Sequence, residues 1–154
     1  MNPEDPIVAS LAGSLVALAT LWAVVCAIIS IASGWRGLAR QFPVTDLPDG
    51  ERLRFVSAGI GPGSWPASYR RCLQLTLGTR GLWLSVLWPF SFMHPPLFVP
   101  WTGVEGVSRR RFWYLQVVEM RLRSSPVRIM MRGTVGEKLL AAYSIHGAHD
   151  GGLQ

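Results

Sequence analysis

The sequence predicts one N-terminal transmembrane helix joined to an all-β domain, an antiparallel curled sheet or partial barrel with a C-terminal helix. Three observations carry this expectation. Ile7 to Ser33 is an unbroken run of 27 residues without a charge. From Glu51 onward, apolar residues recur at every second position, the period of a half-buried strand. Near the C-terminus that period gives way to "TVGEKLLAAY", which has helical spacing.

The first six residues, "MNPEDP", form a short acidic tail. The span at 7–33 exceeds the ~20 apolar residues needed to cross a bilayer. It contains no proline and is rich in the helix formers Ala and Leu. A cleaved signal peptide would have a basic start and a shorter apolar stretch, so a permanent anchor is expected. All 15 Lys and Arg follow the run, beginning at Arg36 and Arg40, whereas Glu4 and Asp5 precede it. Basic flanks stay cytoplasmic. The expected topology is therefore single-pass in the inner membrane, N-terminus out, with the domain in the cytoplasm. Trp35, beside Arg36, reads as an interfacial anchor. Ala9, Gly13 and Ala17 fall at a spacing of four. Such a stripe of small residues lets helices approach closely and suits helix association, with a second copy or with another membrane protein.

Residues 34–50, "GWRGLARQFPVTDLPDG", read as a connector because of their Gly, Pro and Asp. The domain proper is expected at 51–145. "ERLRFVSAGI" opens it, and "GPGSWPAS" (61–68) is a loop. Leu73, Leu75 and Leu77, then Leu82, Leu84 and Val86, flank "GTRG" as a β-hairpin. "PLFVPWTGVEGV" (96–107) is a strand in which Pro100 marks an edge or a bulge. "RFWYLQVVEMRL" (111–122) reads as one strand, with Tyr114, Val118, Met120 and Leu122 on one face and Glu119 and Arg121 on the other. "RSSP" turns the chain, and "VRIMMR" (127–132) aligns Val127, Ile129 and Met131. Thr134 and Glu137 have capping-box spacing, which starts the closing helix. Residues 146–154 are expected to fray. About six strands result, and the helix plugs the open end of their core.

Leu87 to Trp101, "LWPFSFMHPPLFVPW", contains no Lys, Arg, Asp or Glu. A second span over Leu82–Trp101 is opposed by Pro89, Pro95 and Pro96, because a proline inside a helix costs about 3 kcal/mol. That span would also put Arg109–Arg111 outside. The favoured reading is strand Leu82–Trp88, loop Pro89–Pro96 and strand Leu97–Val104, with the aromatics buried in the core or sealing a barrel end. In the alternative the strands are the same, but Trp88, Phe90, Phe92 and Met93 face outward into the membrane interface.

Arg70 and Arg71, together with Arg109, Arg110 and Arg111, are the basic candidates for meeting an anionic lipid or a partner. Each such side chain is worth about 1 kcal/mol at an anionic leaflet; the bland alternative is a solvated turn. Short clusters on a tethered chain do not suit nucleic acid. Cys26 and Cys72 read as unrelated reduced thiols, with no C-x-x-C. His146, His149 and Asp150 lack a fourth ligand, so neither metal nor cofactor is expected. His94 reads as a packed or capping histidine.

The order of strands, the "LTLGTRGLWLSVL" hairpin, "PLFVPWTGVEGV" and the closing helix resemble the pleckstrin-homology-like (PH-like) group, especially its GRAM and bacterial PH branches, over roughly Trp35 to Tyr143. "GLWLSVL" followed by "HPPLFVPW" resembles small bacterial membrane-anchored proteins of uncharacterised function with an HPPLxxPW signature, here His94, Pro95, Pro96, Leu97, Pro100 and Trp101. The resemblance implies a PH-like domain whose basic loops meet anionic headgroups. It implies no activity. No G-x-S-x-G, H-E-x-x-H or phosphate-binding loop is present. The expected role is therefore non-catalytic: a scaffold or accessory subunit that binds a protein partner at the membrane. Lipid-headgroup recognition is the alternative, and an enzyme ranks last.

Overall fold

The computed structural model describes residues 6–64 and 66–147. Residues 1–5 and 148–154, where the two terminal tails are expected, lie outside the described residues.

The uncharged run forms helix α1 (Pro6–Ala32), long and apolar enough to cross a membrane. Its first half stands clear of the domain: Leu11, Leu15 and Leu18 are 60–67% exposed. The hydroxyls there are satisfied locally, Ser14 donating to the Ser10 carbonyl and Thr20 to that of Val16. Gly34 ends the helix in the left-handed conformation (φ 72°), where a Cβ would come within 2.8 Å of Val127 Cγ2. A second helix, α2 (Trp35–Gln41), starts at once. The expected connector is thus partly helical, because "WRGLARQ" places Trp35 and Leu38 on one face, and both are buried. Trp35 is fully buried and its indole Nε1 donates to the Pro95 carbonyl at 2.8 Å. It is a core residue and not an interfacial anchor, since the indole finds both apolar cover and an acceptor inside the domain.

Seven antiparallel strands follow, one more than the sequence suggests: β1 (Glu51–Pro62), β2 (Ala67–Leu77), β3 (Gly81–Val86), β4 (Leu97–Pro100), β5 (Val104–Phe112), β6 (Leu115–Leu122) and β7 (Ser125–Met131). They form one unclosed sheet in the order β4-β3-β2-β1-β7-β6-β5. The extra strand is β5, built from the end of the expected 96–107 strand, the residues after it and the start of the expected 111–122 strand. Trp113 and Tyr114 form a tight turn between β5 and β6, with Trp113 at φ 58°. Tyr114 is therefore 77% exposed rather than aligned with Val118, Met120 and Leu122. The expected 96–107 strand is broken too, by a short 3₁₀ turn at Trp101–Gly103. The "GTRG" hairpin forms as expected, with Leu77 opposite Leu82. Pro100 ends β4, an edge strand.

Inward-facing residues at alternate positions build the core: Val56, Ala58 and Ile60 of β1, Leu73 and Leu75 of β2, Leu82 and Leu84 of β3, and Ile129 and Met131 of β7. Trp35, Leu38 and Phe42 cover part of it. Helix α3 (Gly133–Ala142) covers another part with Leu139, which is fully buried. Its close approach needs Gly136, whose Cβ would meet the Met131 carbonyl and Val118 Cγ2 at 3.0 Å. The expected capping box is absent. Arg132 is the N-cap and makes no side-chain cap bond, because the helix starts before Thr134, which already lies in its first turn; Glu137 pairs with Arg109.

Trp35 joins α2 to the sheet by packing on Tyr69 of β2. Trp35→Ala is expected to lower stability by about 3–5 kcal/mol, the range for truncating a buried Trp, in a denaturant titration of the detergent-solubilised full chain.

Candidate functional site

The end of α1 does not merely lead into the domain; it is built into it. Cys26, Ser30 and Ser33 are buried although they lie in or beside an apolar helix. Ser33 Oγ is 2.8 Å from Tyr69 Oη, and Tyr69 Oη is 3.0 Å from His94 Nε2. His94 Nδ1 is 2.9 Å from the Phe92 carbonyl. A carbonyl only accepts, so Nδ1 carries the proton and Nε2 accepts from Tyr69. Tyr69 then accepts from Ser33. The indole of Trp35 packs over both rings, with centroids 5.6 Å from Tyr69 and 5.4 Å from His94.

This chemistry accounts for His94. Burial holds its pKa below the ordinary 6.5, opposed by the bond to the Phe92 carbonyl, so the ring is neutral near pH 7. Burial pushes the Tyr69 phenol up to about 12, keeping it a donor. Both imidazole nitrogens are engaged, which fits a packed histidine rather than a base. The rest of the HPPLxxPW stretch is structural in the same sense. Leu97 and Trp101 are buried, and Trp101 Nε1 donates to the Gly78 carbonyl at 3.1 Å. Pro95 supplies the acceptor for Trp35.

The aromatic loop differs from the favoured expectation. Trp88 is 86% exposed, and Phe90 and Phe92 are each 48% exposed; they neither enter the core nor seal a barrel end. The loop lies along α1 instead. Phe92 packs on Trp22 with ring centroids 6.1 Å apart, and Ser30 Oγ donates to the Met93 carbonyl at 2.8 Å. Higher on the same helix, Ala9, Gly13 and Ala17 are exposed, with nothing within 4 Å of a Cβ placed at Gly13.

The arginines separate into two groups. Arg109 binds Glu137 of α3 through two nitrogens, which holds that carboxyl below the ordinary carboxylate range. Arg110 and Arg128 bracket the buried Glu119 at 3.6 and 3.8 Å. Arg109, Arg110 and Arg111 lie on β5, an edge strand, where charge discourages pairing with another chain's strand. Arg70 and Arg71 lie apart from them, on β2. They line a cleft of about 820 Å³ on the outer face of the sheet, together with Arg132, Phe55, Phe112, Val117 and Met130. Among the described residues, no carboxylate lines this cleft. Among the described residues, Arg70, Arg71 and Arg132 make no ion pair.

Arg132 and Phe55 were not legible as site residues. Arg132 reads as the end of a strand, and Phe55 as one member of an alternating run. The signal that groups them is the strand order, which sets β7 beside β1 and β1 beside β2. Cys26 is buried and Cys72 half-buried, both as free thiols; burial pushes the Cys72 thiol up, away from reactivity. His149 and Asp150 lie outside the described residues.

The junction titrates. Well above pH 6.5 His94 is neutral in both the folded and unfolded chain. As pH falls below 6.5, the unfolded chain takes up the proton first, so folding stability declines toward the lowered folded-state pKa. Tyr69 is the one ionisable group bonded to the ring, and it stays neutral throughout this window. Thermal unfolding between pH 7.5 and 5 is expected to show this loss in the native protein, and a shallower one in His94→Gln. No model of a known protein family matches the chain, and a search of curated proteins returns no match.

Proposed function

We propose that the protein is a single-pass inner-membrane scaffold or accessory subunit. In this reading its N-terminus lies outside, and its PH-like domain holds a protein partner at the cytoplasmic face without catalysis. The apolar, exposed α1 and the basic residues that follow it support the topology. The antiparallel seven-stranded sheet and its closing helix support the PH-like reading.

The observation that carries the partner-binding role is the cleft, which combines an apolar floor with three arginines and no opposing carboxylate. Such a surface complements a segment bearing Asp or Glu beside apolar anchors. The buried junction with α1 gives the cleft a fixed attitude relative to the membrane, as an accessory subunit requires. The small-residue stripe at Ala9, Gly13 and Ala17 offers a second contact within the bilayer. A second reading rests on the same arginines: an anionic headgroup would also satisfy them, with an energy that salt screens.

Charge reversal distinguishes these readings. Arg70, Arg71 and Arg132 are exposed, so Arg70→Glu with Arg132→Glu leaves the core intact. The double variant of the full chain, purified in mild detergent, is expected to lose its co-purifying membrane protein at least tenfold, whereas Arg109→Ala retains it. Equal recovery in both variants would count against the cleft. Loss of salt-sensitive binding to phosphatidylglycerol nanodiscs, without loss of a protein partner, would favour the headgroup reading. A fluorescent protein fused at the C-terminus is expected to glow in the cytoplasm, and an alkaline phosphatase fusion there to be inactive.

A further inference from the structure

We infer that the loop from Trp88 to Met93 is a second membrane-inserted element, a wedge that enters the cytoplasmic leaflet beside α1; this rests on the reading of α1 as a span. Depth is the first argument. Apolar residues of α1 stay exposed from Ile7 to Ile31, at 72% and 64%, a length of about 36 Å at 1.5 Å per residue. The hydrocarbon core is about 30 Å thick. Phe92 packs against Trp22, nine residues or about 13 Å above Ile31. If the whole excess of about 6 Å protrudes at the cytoplasmic end, the Phe92 ring still lies about 7 Å inside the hydrocarbon boundary.

Composition and hydrogen bonding make that depth tolerable. The loop has no charged residue, and neither does the chain from Gly81 to Val104. Irregular backbone enters lipid only when its polar groups are satisfied within the protein, and here the carbonyls of Leu87, Ser91, Phe92, Met93 and Pro95 are. The Leu87 carbonyl accepts from the Phe90 amide, and that of Ser91 from the His94 amide. The Phe92 carbonyl accepts from His94 Nδ1, that of Met93 from Ser30 Oγ, and that of Pro95 from Trp35 Nε1. The buried junction thus also takes up the carbonyls of Phe92, Met93 and Pro95. The most exposed large side chains of the loop are apolar: Trp88, and the open faces of Phe90 and Phe92. Trp and Phe at such a position match the interfacial belt and the upper acyl chains.

The test is depth measurement in proteoliposomes. Nitroxide labels are placed one at a time at Trp88→Cys, Phe90→Cys, Ala17→Cys and Tyr114→Cys, in full-length protein carrying Cys26→Ala and Cys72→Ala. Collision with oxygen and with a water-soluble nickel chelate reports depth. Labels at 88 and 90 are expected to show an oxygen-to-nickel ratio several-fold above that at 114, and below that at 17. If 88 and 90 match 114 while 17 reads hydrocarbon, the wedge is wrong and the span stands. If 17 also reads aqueous, the span falls and the wedge with it. If 88 and 90 are shielded from both reagents, protein covers the loop and the inference is overturned. A second readout keeps the native cysteines: Trp88→Phe is expected to reduce the tryptophan emission quenched by lipids brominated near the headgroup. Unchanged quenching would overturn the inference independently of how the labelled proteins fold.

Discussion

The arrangement of this protein depends on a single buried chain of polar groups, Ser33 to Tyr69 to His94 to the Phe92 carbonyl. It joins the end of a long apolar helix, an inner strand and a loop that are far apart in sequence. Tyr69 and His94 each spend one donor and one acceptor, and the terminal carbonyl, which only accepts, sets the direction of every proton. Inside a low-dielectric core such a chain stabilises only when complete, since leaving one member unpaired costs about 1–3 kcal/mol. The neutral state of His94 is therefore a condition of assembly. Were the ring charged, Nε2 would cease to accept and the Tyr69 hydroxyl would lose its acceptor.

Two surfaces take their placement from this joint. The loop that carries His94 is drawn onto α1, because the residue before it bonds Ser30 and Phe92 reaches Trp22. The sheet is held at a fixed angle, because Tyr69 lies on β2 and Trp35 packs across it. The arginine cleft is formed by the outer face of that same part of the sheet. The cleft therefore belongs to a domain whose attitude toward α1 is already set. The sheet edges are managed separately. The β4 edge is covered by Phe42 and Pro43, and the β5 edge carries its three arginines outward or into ion pairs.

Much of the fold was legible because burial follows period. The apolar run gave α1, and the alternating leucines around "GTRG" gave β2 and β3 with the right pairing. Val127, Ile129 and Met131 read correctly as one inward face. The misreadings share a cause, namely apolar residues in places where turn chemistry was sought. Trp113 and Tyr114 make a turn without Gly, Pro, Asn or Asp. Trp35 sits beside an arginine at the end of the long apolar run, so its burial depended on contacts more than 30 residues away. The site was less legible. The arginines at 70 and 71 were visible as a pair, but Arg132 joins them only through the strand order. The triplet at 109–111, more conspicuous as a string, is partly neutralised by Glu137 and Glu119.

The cleft also exposes a choice made within β2. Tyr69, Leu73 and Leu75 face inward, and strict alternation would send Arg71 inward between them. The ladder instead breaks, with register shifts on either side of Val56, and Phe55 and Arg71 adopt left-handed conformations at φ 57° and 52°. Each such residue costs roughly 1–2 kcal/mol. Burying an unpaired guanidinium would cost several kcal/mol, so the kinked strand is the cheaper state, and Arg71 emerges on the outer face beside Arg70. A leucine at position 71 would fit the alternating pattern and avoid the conflict. An arginine there is turned outward, with a strained backbone, into a cleft that already holds Arg70 and Arg132, and packing alone gives no reason for it.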